Sequence, residues 1–375
     1  MVRVTVPGDV PNGGSDTEQD RYDGIVFLSA CHVKEDRMRR IAVINQKGGV
    51  GKTTTTANLG AALAAAATSP GPQEGAPSTT TDLSAARAPK AGMADPRILL
   101  VDLDPQAHLT MHYGVEVEEG RPSVYDVMVD SKPIADTMIE VRPNVTLVPA
   151  HTDLAGAELE LVSVVGREAI LRDALAAFER TASDVGGAFD ILLIDCPPSL
   201  SLLTINALAA VEEAIIPLQA HFLALQGLGK LIETMTLVRQ RINPQLRIAG
   251  IVLCMFDSGT RLAAEVVEDV TNFLNSVRGG DGVCANARLY NTRIRRNIKL
   301  AESPSFGQTV FDYAPHSNGA IDYTTLAAEV LLQDDRPHGE AAEEGESRPT
   351  LLEKAPAHVL AEAPHGEAHA WEAQD

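Results

Sequence analysis

Residues 40–54 read Arg40-Ile41-Ala42-Val43-Ile44-Asn45-Gln46-Lys47-Gly48-Gly49-Val50-Gly51-Lys52-Thr53-Thr54. The apolar run at 41–44 predicts a short buried strand, and the Ala- and Leu-rich run at 53–68, broken only by Gly60, predicts a helix. Between them, three glycines let backbone N–H groups converge on phosphate oxygens with no Cβ in the way. A helix starting near Lys52 aims its positive end at the same place. Lys52 supplies a point charge to the outer phosphates, and the Thr53 hydroxyl is placed to ligate Mg²⁺. An incidental turn rarely combines a preceding apolar strand with a Lys-Thr pair at this spacing, so residues 47–54 are expected to cradle a nucleotide.

Outward from this turn, more short apolar strands are expected at 97–102, 145–149, 190–195, 214–218 and 248–254, with helical patterns at 155–179 and 225–242 between them. Apolar strands alternating with longer helices predict an α/β fold. It has a mostly parallel, twisted sheet with helices on both faces and ligands at the carboxyl ends of the strands. Two of those ends carry carboxylates: Asp102-Leu103-Asp104-Pro105-Gln106, and Asp195 followed by Cys196-Pro197-Pro198. Phosphoryl transfer requires carboxylates to hold Mg²⁺ and its waters and one group to orient the attacking water. The Thr53 hydroxyl and these strand-end carboxylates, Asp104 and Asp195 among them, are thus the candidate metal-site residues.

Residues 1–38 are rich in Gly, Pro and Asp and read as an extension, with one brief strand candidate at 25–31. A start at Met38 would supply the whole folded part. Residues 69–95 form a Pro/Gly/Ser/Thr/Ala insert, and residues 334–375 an acidic tail, both expected to be disordered. The folded domain is expected at 39–333.

The chain has 375 residues, a formal charge of -20 and only 4% aromatics, so small aliphatics build the core. It has no long uncharged apolar run and no signal pattern, and its four cysteines lack metal or disulfide spacing, which together read as cytoplasmic. Net charge argues against nucleic acid, but it averages over segments. Arg293, Arg295, Arg296 and Lys299 form a local basic stretch, and Arg261 is a further candidate.

The segments 45–54, 101–106 and 194–198 together resemble the ParA group of the ParA/MinD ATPases, which carry the deviant Walker A form of the P-loop NTPase fold. The runs Asn297-Ile298-Lys299-Leu300-Ala301-Glu302-Ser303-Pro304-Ser305-Phe306-Gly307 and Ser317-Asn318-Gly319-Ala320, with Tyr323 and Leu326-Ala327, resemble ParA-type partitioning ATPases in particular. The resemblance implies ATP/ADP and Mg²⁺ as cofactors. It implies an ATP-bound homodimer in which Lys47 reaches the partner's nucleotide and Asp104 supports attack by water. It also implies DNA segregation through sequence-independent contacts by Arg261, Arg293, Arg295, Arg296 and Lys299, a nucleoid location, and a ParB-like partner that stimulates slow hydrolysis. Asn297 would flank the adenine; Gly48, Gly49, Val50, Gly51, Lys52, Thr53 and Thr54 would hold the phosphates.

Two departures stand out. Relatives often carry Pro-Arg-Asn where this chain has Arg295-Arg296-Asn297, and an arginine where it has Gly259. The alternative is a MinD-like membrane-associated division-site or cargo-positioning ATPase; it needs a basic amphipathic helix that the acidic tail does not offer, so no membrane partner is expected. An iron–sulfur reductase on this fold needs an interface cysteine pair. An ATP-dependent synthetase needs a substrate domain. Neither is visible in the sequence.

Overall fold

The computed structural model describes residues 38–65, 96–118, 120–184, 189–221 and 224–333. The strand candidate at 25–31, the insert at 69–95 and the acidic tail lie outside the described residues. The elements run β1 (Arg39–Val43), α1 (Lys52–Ala65), β2 (Ile98–Asp102), α2 (His108–His112), α3 (Val124–Val129), β3 (Ile139–Arg142), β4 (Val145–Val148), α4 (Leu154–Glu160), α5 (Ile170–Asp184), β5 (Ile191–Asp195), α6 (Leu202–Ala210), β6 (Glu213–Gln219), α7 (Ala224–Arg241), β7 (Arg247–Phe256), α8 (Arg261–Val277), β8 (Arg288–Arg295), α9 (Ile298–Glu302), α10 (Val310–Tyr313) and α11 (Asn318–Leu331).

These strands form one eight-stranded sheet in the order β3-β4-β2-β5-β1-β6-β7-β8. Every pairing is parallel except β3 with β4. The central strands β2 and β5 are buried along their whole length, so they read as continuous apolar runs rather than alternating ones. The period of two divides their side chains between two cores. Leu99, Val101, Leu192 and Ile194 pack with α5, α6 and α7 through Leu175, Leu203 and Leu231. Ile98, Leu100, Ile191 and Leu193 pack with α1 and α11 through Leu59, Leu63, Tyr323 and Leu326. Each such fully buried aliphatic side chain contributes about 1.5–3 kcal/mol. Helix α1 lies close on its face because Gly60 has no Cβ, which would sit 2.9 Å from Leu100 Cδ2.

Four local features depart from the sequence reading. The helix expected at 155–179 is two helices, α4 and α5, because Val164 is extended and Gly166 turns at φ 76°. The basic stretch 293–299 begins in a strand that the sequence reading did not expect: its first residues belong to β8, an edge strand with largely alternating burial. The antiparallel strand β3, bulged between Glu140 and Arg142, has no fully buried side chain and too weak a pattern to stand out. Met38, placed with the extension, is 6% exposed and joins the core.

Edge strand β8 is capped from α11. The Glu329 carboxylate accepts from the amides of Asn291 and Thr292, and Asp322 accepts from the amide of Arg295. Carboxylates in those positions occupy donors that would otherwise template pairing with another chain. Among the described residues, no helix is long and apolar enough to cross a membrane.

Candidate nucleotide site

Strand β1 delivers the chain to the glycine turn at the carboxyl rim of the sheet, and α1 leads it away. Gly49 and Gly51 have φ of 72° and 95°, which side-chain-bearing residues rarely adopt. A Cβ on Gly48 or Gly49 would meet nothing within 4 Å, so the turn is an open concavity. Asn45 braces it from below: its amide donates to Pro217 O at 2.7 Å, while its carbonyl oxygen accepts from Lys47 N at 3.0 Å. The turn is thereby tied to β6 as well as to β1.

The two lysines of the turn are placed differently. Lys52 is 7% exposed, and its ammonium donates to Lys47 O at 3.3 Å. Burial lowers its pKa, an effect that Asp195, Cys196 and Asp104 oppose. Lys47 is exposed, and its side chain has no ion pair among the described residues.

Asp195, at the end of β5, accepts from Thr53 Oγ1 at 2.7 Å and from Thr56 Oγ1 at 3.1 Å. Burial, and then the neighbouring Asp102, push its carboxyl well above the usual range, while Thr53 and Lys52 act the other way. Asp102 is also shifted upward, first by burial. Its carboxylate accepts from Thr110 N at 2.9 Å, Thr110 Oγ1 at 2.7 Å and Asp104 N at 3.2 Å. The Thr110 hydroxyl in turn accepts from Ala150 N at 3.0 Å. Asp104 is 6% exposed and accepts from Gln106 N at 3.0 Å.

These residues fit a nucleotide phosphate chain with a divalent cation. The concavity is open, a buried ammonium stands beside it, and the side-chain amide nitrogen of Gln46 is buried without a partner among the described residues. No group of three or more His, Cys, Asp or Glu is arranged for a metal among the described residues. Thr53 and Asp195 are therefore a sparse donor set. It suits Mg²⁺, which keeps several waters and takes further oxygens from substrate phosphates.

The remaining candidates are spread more widely. Asn297 caps α9, its side chain accepting from Lys299 N at 2.8 Å. Arg293 is half-buried, donates to Tyr290 O and lies 5.9 Å from the Phe256 ring centroid. Arg295, expected to face DNA, is fastened to the buried Asp322 carboxylate through Nε at 3.1 Å and Nη2 at 2.6 Å. Lys299 pairs with Glu302 at 2.9 Å and lies 5.4 Å from the Tyr313 ring centroid. Arg261, at the start of α8, is 92% exposed and pairs with Glu265. Arg296 is exposed and has no ion pair among the described residues. The five cations thus share a region of the chain without forming one free cluster.

Sequence reading passed over several supporting residues. Thr56 lies three residues after Thr53, so helical spacing alone puts both hydroxyls on one face toward Asp195. Thr55, whose hydroxyl is 3.1 Å from Tyr323 Oη, and Asn58, which accepts from Val310 N at 2.8 Å, bind α1 to the C-terminal helices. Nothing local in the sequence marks those long-range partners.

Comparisons with known proteins give the chain its family. A family model described as "AAA domain" matches residues 38–69 and 74–248. The sporulation initiation inhibitor protein Soj of Bacillus subtilis is 39% identical over 294 residues, covering 77% of this chain and 97% of its own length. The chromosome partitioning protein ParA of Caulobacter vibrioides is 36% identical, with 81% and 98% coverage. Among solved structures, a protein described as cobyrinic acid a,c-diamide synthase from Mycobacterium smegmatis, with bound ADP and magnesium, is 32% identical. It has a TM-score of 0.57 and coverage of 79% and 94%. Apo McdA from Cyanothece shares the fold, with a TM-score of 0.61, 20% identity and coverage of 79% and 100%. With its deviant phosphate-binding loop, buried site lysine and carboxylate-tipped strands, the chain belongs to the ParA/Soj family of chromosome- and plasmid-partitioning ATPases.

Proposed function

We propose that this ATP-dependent partitioning ATPase works as a nucleotide-timed switch that closes into a homodimer around ATP, holds DNA without sequence preference and releases it on hydrolysis. The observation carrying this reading is the contrast between the two lysines of one loop. Lys52 is buried in the cradle of its own subunit, whereas Lys47 is exposed with no ion pair among the described residues, as a residue serving a partner's nucleotide would be.

In this reading Lys52 and the glycine-loop amides would hold the phosphates, and Thr53 and Asp195 would hold Mg²⁺, which would supply charge neutralisation at the transferred phosphoryl group. Asp104 orients the attacking water, and Lys47 adds charge to the partner's site only while two subunits are joined. Hydrolysis is slow until a ParB-like partner aligns these groups. Arg296, Lys299 and Arg261 contact DNA phosphates. Lys299 and Arg261 would exchange their carboxylate partners for phosphate, a small cost because both pairs are surface pairs. The active form would then reside on the nucleoid.

A synthetase reading draws on the Mycobacterium smegmatis structure, described as a synthase. Relatives at 36–39% identity described as Soj and ParA, matched over nearly their full length, favour partitioning. Retention of the full chain on duplex DNA with ATP, with ADP and without nucleotide separates the readings. The switch requires retention that depends strongly on ATP and falls steeply with salt. Equal retention in all three states, or none, would overturn it.

A further inference from the structure

Away from the nucleotide rim, a groove of about 220 Å³ lies between the C-terminal half of α8 and residues 287–293, which begin just before β8 and run into it. Its polar lining is Thr271, Asn275, Arg278, Arg288, Asn291 and Arg293. Among the described residues no aspartate or glutamate lines it, in a chain with 51 acidic and 31 basic side chains. Three guanidiniums thus meet on one surface of an otherwise acidic chain.

The groups around the groove point to an anion. Arg278 is exposed and has no ion pair among the described residues. Burial lowers the pKa of Arg293, and the nearby Glu329 offsets this only in part. That carboxylate already accepts from the amides of Asn291 and Thr292 and from the Thr292 hydroxyl. The negative end of the α8 dipole lies at Arg278 and opposes an anion, but it is a partial charge set against the whole charge of the Arg278 guanidinium.

Two features select the occupant. A volume of about 220 Å³ is below the roughly 300–1,000 Å³ usual for small-molecule sites, so the groove suits groups presented side-on rather than an enclosed nucleotide. It also runs along β8 toward the basic residues of the rim. Seven residue steps from Arg288 to Arg295 span about 23 Å at roughly 3.3 Å per residue. That length matches about seven phosphates of one strand of a duplex.

We infer that Arg278, Arg288 and Arg293 form a second phosphate-binding station, which extends the footprint of a DNA duplex from the rim down the β8 side of the domain. The inference rests on the DNA reading above. It assigns DNA contact to Arg278 and Arg288, which lie outside the motif-bearing segments. It also gives Arg293 a role separate from that of Arg296 and Lys299.

The test is the affinity of the full chain with ATP for duplex DNA across a series of salt concentrations. Wild type is compared with Arg278→Glu, Arg278→Ala and the Arg278→Ala/Arg288→Ala double variant, with ATP affinity measured on each. Each lost phosphate contact should reduce the slope of log affinity against log salt by about 0.9, and the double variant should lose about 1.8. ATP affinity should be unchanged. An unchanged slope in both Arg278→Glu and the double variant overturns the station, as does a loss of DNA affinity matched by a loss of ATP affinity. If wild type shows no ATP-dependent DNA retention, the DNA reading itself fails. That outcome is distinct from retention with unchanged slopes.

Discussion

Asp102 and Asp195 are register partners at the ends of the adjacent parallel strands β2 and β5, yet their carboxylates serve different elements. Asp195 takes the hydroxyls of Thr53 and Thr56 on α1, whereas Asp102 takes the amide and hydroxyl of Thr110 on α2. One acidic pair thus joins the nucleotide loop to the loop carrying Asp104. Asp195→Ala should sharply weaken Mg²⁺-dependent ATP binding. Asp102→Ala should instead cost roughly 2 kcal/mol of stability, because the Thr110 donors lose their buried acceptor. Calorimetric ATP titrations and thermal melts of both variants check the division; similar profiles would contradict it.

The two loop lysines give a second contrast. Lys52→Ala should abolish nucleotide binding. Lys47→Ala should keep binding in the monomer and lose ATP-dependent dimerisation. Asp104→Ala should give a long-lived ATP dimer. Nucleotide titration and gel filtration report each outcome, and a Lys47→Ala protein that still dimerises with ATP would remove the partner-facing role.

Arg295 is expected to behave as a structural residue more than as a DNA contact. Its side chain is 45% exposed, so the pair is only partly desolvated, but Asp322 at 8% is left buried when the arginine is removed. Arg295→Ala should cost about 1–3 kcal/mol, a value discounted for solvent screening. Arg296→Ala should leave stability unchanged and reduce DNA retention more. Melting curves alongside DNA retention would show the reverse ranking if Arg295 were the principal contact.

Gly307 closes the run that marks the C-terminal motif. It has φ of 63°, and a Cβ there would sit 2.6 Å from Gly114 Cα, against backbone that cannot swing aside. Gly307→Ala should therefore destabilise by roughly 1–3 kcal/mol. A melting temperature equal to wild type would contradict this packing.

His112 is 1% exposed, its Nε2 has no partner among the described residues, and burial holds its pKa down at about 4. A depressed histidine contributes stability that is present above its unfolded pKa of 6.5 and is lost as pH falls through the folded value. Unfolding free energy should therefore fall between about pH 6.5 and 4 by at most roughly 3 kcal/mol from this group. Asp102, shifted upward, acts in the opposite sense at the acid end. The effect is therefore read as the difference between wild type and His112→Phe in denaturant titrations at several pH values. Parallel pH profiles would contradict it.

Much of this protein is determined locally, and the sequence by itself was enough for those parts. The glycine turn between an apolar strand and an alanine-rich helix needs only neighbours in the chain, because the φ values of Gly49 and Gly51 and the first turn of α1 are short-range properties. The inner strands β2 and β5 were legible for a similar reason: burial on both faces leaves an unbroken apolar run. Other features depend on partners far away in sequence. β8 alternates polar and apolar residues on an exposed edge, so its basic half resembles a loop until Glu329 and Asp322 of α11 are seen to cap it. The same contact decided that Arg295 is fastened while Arg296 is not. A charge read from sequence has no address; only the packing of α11 against β8 supplied one.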